Sequence, residues 1–187
     1  MDKVWSNIDD AVADVFDGAT ILFGGFGGAG VPYRLIEALL RTDARNLTAV
    51  SNHAGDFDEG LAALIAAGRV RKLIASFPNH RNSYHFRERF RRGEVEVEIV
   101  PQGIMAERMR AAGAGIAGFY TRVGVGTDVA EGKPTRTFGG ETYILWEALR
   151  GDFAFIKAHR ADPWGNLTYR QAARNFNPVM AMAARVT

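Results

Sequence analysis

Between residues 20 and 112, four short apolar runs rich in β-branched residues alternate with four segments whose apolar residues recur at helical spacing. The runs cover 20–23, 47–50, 72–76 and 95–100, and the helical segments 35–40, 60–67, 83–92 and 105–112. A strand followed each time by a helix has its chain carried back across the sheet before the next strand begins. This order therefore predicts parallel strands joined by helical crossovers. The expected class is α/β, a Rossmann-like, mostly parallel sheet flanked by helices. Ahead of it, Ser6 and Asp9 resemble a capping box with Asp in place of Glu, and Ala11, Val12, Val15 and Phe16 share one helical face. That spacing predicts a first helix ending at Asp17-Gly18. The pattern changes after Gly113, where glycine is dense as far as Gly126. The Gly139-Gly140 pair between two extended runs, 135–138 and 142–145, then predicts a hairpin, so a smaller antiparallel portion belongs to the C-terminal third. Further extended pieces are expected at 153–158 and 167–170, on either side of the turn at 162–165.

Length and composition bound the rest. The chain of 187 residues, 47% hydrophobic and 24% charged, is suited to one domain, taken as 1–187, with a substantial core. A formal charge of +2 gives no reason to expect a nucleic-acid partner. The densest basic stretch, Arg87 to Arg92, also contains Glu88 and reads as a solvated helix face. With no cysteine there is no disulfide framework, thiolate nucleophile or Cys-based metal site. The four histidines, 53, 80, 85 and 159, show no metal-ligand spacing, so no metal is expected. The N-terminus lacks the features of a signal peptide, and no apolar run approaches the ~20 residues that span a membrane. The cytoplasm is the expected compartment.

Gly25-Phe26-Gly27-Gly28-Ala29-Gly30 matches G-x-G-x-x-G and lies between a predicted strand and a predicted helix, the context in which that pattern binds a dinucleotide. Two features oppose this reading. An acidic ribose anchor is expected about 20 residues on, where the chain has Val50-Ser51-Asn52 and no acid before Asp56. Pro32 also removes one N–H from the helix start that would receive a pyrophosphate. A tight turn without a ligand is the plain structural alternative.

Several blocks together resemble the A (α) subunit of the family I coenzyme A transferases. They are GGFGGAGVP (24–32), SNHAG (51–55), VPQG with the stretch that follows it (100–121), VGTDVAEGK (125–133) and KAHRADPWGNLTYRQAARNFNP (157–178), in the family's order. The segments ASFPNH (75–80) and KAHRADPWGNLTYR look most like those of relatives acting on 3-oxoadipate. The resemblance implies a B (β) subunit of similar fold, an α2β2 assembly, and an active site between the two halves. It implies no permanently bound cofactor; a coenzyme A thioester is the substrate. In this family a B-subunit glutamate, set in Glu-Asn-Gly, attacks the thioester. None of the ten glutamates here has that setting, so the nucleophile is expected on the partner. Gln102, matching the family's PQG position, is the expected oxyanion donor, an amide placed where negative charge develops. The loop residues Gly24, Gly25, Phe26, Gly27, Gly28, Gly30 and Pro32 are expected to admit the thioester, and Asn52 and His53 to contact the acyl group. His53 stands where the family usually has Asn, and Trp146 where it usually has Glu. The resemblance also implies a further strand after Thr187. Competing readings are a nicotinamide oxidoreductase and a non-catalytic relative of the fold.

Overall fold

The computed structural model describes residues 2–187. The chain runs through β1 (Thr20–Phe23), α1 (Tyr33–Leu40), β2 (Leu47–Ser51), α2 (Leu61–Ala66), β3 (Val70–Ala75), α3 (Tyr84–Arg91), β4 (Glu96–Ile99) and α4 (Gln102–Gly113). It continues with β5 (Gly118–Thr121), β6 (Thr135–Phe138), β7 (Glu141–Glu147), β8 (Gly151–Phe155), β9 (Arg160–Ala161), β10 (Leu167–Thr168), α5 (Asn177–Ala183) and β11 (Ala184–Val186). Six strands form the main sheet in the order β11-β8-β1-β2-β3-β4, and each neighbouring pair is parallel.

Successive strand residues point to opposite faces, and both faces here are apolar. Ile21 and Phe23 of β1 join Ile36, Leu39, Leu64 and Ile65 of α1 and α2 in one buried cluster. Leu22, between them, joins Val50 and Ile74 against Met105 and Met109 of α4 and Met180 of α5 in a second. Continuous apolar strands are what a parallel sheet covered on both sides demands. Each fully buried side chain of this size contributes roughly 1.5–3 kcal/mol.

The hairpin forms as expected, β6 against β7, but the glycine-dense stretch supplies a third strand. Gly118 of β5 lies against the Trp146 carbonyl so closely that a Cβ would come within 2.8 Å of it, which explains why a glycine-rich segment can be a strand here. Trp146 is buried in the second core. Lys133 lies 4.3 Å and Arg108 5.5 Å from its ring centre, so it is a packing residue with cations held over its ring.

One expectation is corrected. The first helix is reduced to a single 3₁₀ turn, Asp10–Val12, with no side-chain cap. Asp9 is drawn instead into an ion pair with Arg41, and Phe16 remains half exposed. Gln102 is the first residue of α4, because Pro101 presets the chain for a helical start and Met105 N–H already reaches the Pro101 carbonyl. Two elements, α5 and β11, form where the sequence pattern predicts none. No helix among the described residues is long and apolar enough to cross a membrane.

Candidate functional site

In this strand order β1 is central, with β2 on one side and β8 on the other. The chain changes direction around β1, and the crevice at the carboxyl ends of such strands is where open α/β sheets bind ligands. The glycine loop leaves β1 at that point. Two asparagines, one at the start of α5 and one just before it, hold the loop. Asn177 is fully buried; its Nδ2 donates to the carbonyls of Gly30 (3.1 Å) and Ala173 (2.9 Å), and its Oδ1 accepts the Lys157 N–H (2.9 Å). Asn175 Oδ1 accepts the Gly25 N–H at 3.2 Å, and its Nδ2 donates to the Ala29 carbonyl at 3.0 Å.

These contacts explain the glycines in two groups. A Cβ on Gly24 would sit 2.0 Å from Asn177 Oδ1, and one on Gly30 would sit 2.6 Å from the Ala173 carbonyl. Those two positions are glycine because the chain's own side chains and backbone occupy the space. Gly27 and Gly28, by contrast, face open space, with half-exposed Phe26 beside them. The tip is closed by reciprocal bonds between Phe26 and Ala29, 3.0 and 3.1 Å. The N–H groups of Gly24, Gly25, Phe26 and Ala29 are thus all used internally. Pro32 caps α1 without a side-chain bond. Those four N–H groups are therefore not available to a dinucleotide pyrophosphate.

Along the same edge, the carboxyl ends of β2, β3 and β4 bring three polar side chains together. Gln102 Nε2 donates to Asn52 Oδ1 at 2.7 Å, and Ser76 Oγ donates to the same oxygen at 2.8 Å. Asn52 is buried and Gln102 exposed. A carboxamide NH₂ has two donors, so Gln102 retains one N–H while the other fixes its orientation. The sequence singles out Gln102 and Asn52 but not Ser76, which only the parallel register of β2 and β3, Ser51 opposite Ala75, reveals.

His53 follows Asn52 and buttresses the glycine loop. Its Nδ1 accepts the Gly55 N–H at 2.9 Å, which places the proton on Nε2, directed at the Gly27 carbonyl 3.3 Å away. Burial holds its pKa below the usual histidine value, partly opposed by that carbonyl. The His80 ring packs edge-on to His53 at 5.2 Å and stacks against Phe77 at 6.2 Å. Asp56 lies beside both. Nothing in the sequence spacing joins these residues, the two histidines being 27 positions apart.

A parallel sheet whose carboxyl edge gathers a glycine loop and oriented amides defines a ligand-binding α/β protein with a small-molecule site at its strand ends. The family model described as coenzyme A transferase matches residues 5–187, and the chain belongs to that family. It is 54% identical over 185 residues to the A subunit of 3-oxoadipate CoA-transferase from Pseudomonas putida, covering 99% of this chain and 80% of that one. It is 49% identical over 187 residues to the A subunit of a probable succinyl-CoA:3-ketoacid coenzyme A transferase from Bacillus subtilis, covering 100% and 78%. Among solved structures, a decarboxylase AibA/AibB variant superimposes with TM-score 0.83 at 26% identity, covering 100% and 74%. Glutaconate coenzyme A-transferase from Acidaminococcus fermentans superimposes with TM-score 0.81 at 21% identity, covering 96% and 65%, a likeness of fold.

Proposed function

We propose that this chain is the A half of a transferase that moves coenzyme A from succinyl-CoA to a 3-oxoacid, with 3-oxoadipate the favoured acceptor and acetoacetate the next. The observation that carries the reading is the 54% identity, over nearly the whole chain, to the corresponding half of a transferase named for 3-oxoadipate. In this reading a B subunit completes the enzyme, as α2β2, and supplies the glutamate that attacks the thioester. Coenzyme A enters as substrate rather than as a resident cofactor.

This half supplies the electrostatics. A carboxylate attacks a thioester poorly unless the oxygen that gains charge is met by a donor already in place. Gln102 supplies that donor through its second N–H. Asn52 and Ser76 act through Gln102, because Asn52 Oδ1 holds the first N–H and Ser76 holds Asn52. The open tip at Phe26, Gly27 and Gly28 is the part of the loop that a pantetheine arm can approach, whereas Gly24, Gly25, Gly30 and Pro32 shape the loop from behind.

The test is thioester exchange between succinyl-CoA and 3-oxoadipate or acetoacetate, with the chain alone and with its B partner present. Exchange is expected only in the mixture. Gln102→Ala in the mixture is expected to lower kcat by roughly 10²-fold or more, the effect of removing an oxyanion donor. Full activity in that variant would remove Gln102 from the mechanism, and no exchange with either acid would overturn the substrate assignment.

A further inference from the structure

We infer that His53, Asp56 and His80 form a binding site for one divalent transition-metal ion, with zinc the ion that the donors suit best. Nothing in thioester exchange calls for a metal, so this goes beyond the activity proposed above. His53 and Asp56 lie on the loop after β2, His80 on the loop after β3, and one ligand atom from each falls within 4.8 Å of the other two. Two imidazoles and one carboxylate are the nitrogen and oxygen donors that zinc accepts, and three protein ligands with an open fourth position are the pattern of a site that also holds water or substrate.

The geometry of one pair fits a tetrahedral ion. His80 Nδ1 stands 3.4 Å from Asp56 Oδ1, and adjacent ligands of a tetrahedral ion with bonds of about 2.0–2.1 Å are about 3.3–3.4 Å apart. With Nδ1 also facing the Asn82 N–H at 3.4 Å, a neutral His80 turns a lone pair toward the carboxylate. Two acceptors in that relation repel unless a proton or a metal cation joins them. The other His80 nitrogen, Nε2, is buried without a partner, so no second hydrogen bond accounts for the ring's position. His53 is set as a metal-bound imidazole usually is, with its Nε2–H on a backbone carbonyl, that of Gly27, leaving the Nδ1 lone pair for the ion. Ligation there displaces one bond, the Gly55 N–H to Nδ1.

Charge and space agree. A cavity of about 20 Å³ adjoins two of the three ligands, His53 and Asp56, and is lined also by Glu59, Tyr33, Ser51 and the glycine loop, room for about one water molecule. Its walls contain two carboxylates and no lysine or arginine. An ion there would tie the loop carrying Asn52 to the loop after β3.

The experiment titrates the metal-free full-length chain with Zn²⁺ by calorimetry and with Co²⁺ by visible absorption. It is repeated with His80→Asn, with Asp56→Asn, and with His85→Asn at the separate His85–Asp58 contact. One ion per chain is expected, bound about 10-fold or more weakly in the first two variants and unchanged in the third. Zinc-edge anomalous scattering from crystals of the unaltered chain should place the ion between the three side chains whatever the variants do. No binding, binding indifferent to His80 and Asp56, or an ion located elsewhere would overturn the inference. Because the readout is metal occupancy, failure here leaves the transferase reading intact, and loss of exchange activity leaves this one intact.

Discussion

Asn177 is the residue on which the shape of the glycine loop most depends, and Asn177→Ala tests that dependence. The side chain is fully buried and serves the Gly30 carbonyl, the Ala173 carbonyl and the Lys157 N–H at 2.9–3.1 Å. Alanine leaves those backbone groups without their partner. At about 1 kcal/mol net for each bond, the loss is about 3 kcal/mol, and the deeply placed Gly30 carbonyl pushes it upward because an unmet buried acceptor costs more than an average bond returns. For a chain of this size that corresponds to a fall of about 6–12 °C in Tm. Asn177→Asp sharpens the test. It keeps the acceptor for Lys157 but turns an oxygen toward two carbonyls that now receive an N–H, so at pH 7 it should destabilise more than alanine does. The assay is urea unfolding of the three proteins, compared by midpoint at constant m-value. A loss below about 1 kcal/mol for alanine, or an Asp variant more stable than the Ala variant, would refute the assignment of Asn177 as the loop's anchor.

Further outcomes follow from neighbouring contacts. Gly24→Ala should destabilise strongly and Gly28→Ala hardly at all, since a Cβ meets Asn177 Oδ1 at 2.0 Å in the first case and open space in the second; thermal melts of the pair decide. Ser76→Ala removes one of the two bonds on Asn52 Oδ1, about 1 kcal/mol of orientation. It should lower kcat of the assembled enzyme by about 5-fold with KM little changed, as steady-state kinetics would show. His53 has a pKa held below its unfolded value of about 6.5. The unfolded chain therefore binds the extra proton first, and stability should fall as pH drops below about 6.5. His53→Gln should flatten that part of the profile, measured by urea midpoints across the range. Glu98 acts in a lower window. Burial pushes its pKa up, but Lys72 (2.8 Å) and Arg108 (3.0 Å) outweigh this and hold it below the ordinary value, so its contribution is lost only as pH falls through the carboxylate range.

The sheet was legible because its signals are local. Runs such as Thr20–Phe23 and Leu47–Ser51 are bounded by turn residues and apolar on both faces, and the helices between them repeat at 3.6 residues. What was lost depends on partners distant in sequence. Gly118–Thr121 looks like a glycine-rich loop until β7 lies beside it. The segment at 177–186 is a helix and an edge strand because α4 and β8 cover it, and its own ten residues carry no decisive period. The first helix fails for the same reason: Asp9 has a local capping role by spacing, but its side chain pairs with Arg41, 32 residues away.

The site divides the same way. Gln102 and Asn52 are singled out in the sequence by the PQG and SNHAG blocks that carry the family resemblance, and their place at strand ends suits a ligand site. Their mutual bond spans 50 residues and needed the fold. The glycine loop lies between β1 and α1, where its pattern puts it, but the close packing of Gly24 and Gly30 against asparagines about 150 positions on is not legible in that pattern. The meeting of His53, Asp56 and His80 follows from β2 lying next to β3, a fact of topology that residue spacing does not contain.

The division of labour proposed here, with this half orienting the reaction and its partner performing the covalent step, can be checked by incubating the assembled enzyme with succinyl-CoA in the absence of acceptor and weighing each polypeptide by intact-protein mass spectrometry. A coenzyme A adduct is expected on the partner and none on this chain, with the adduct discharged when 3-oxoadipate is added. An adduct on this chain, or exchange catalysed by this chain alone, would contradict it.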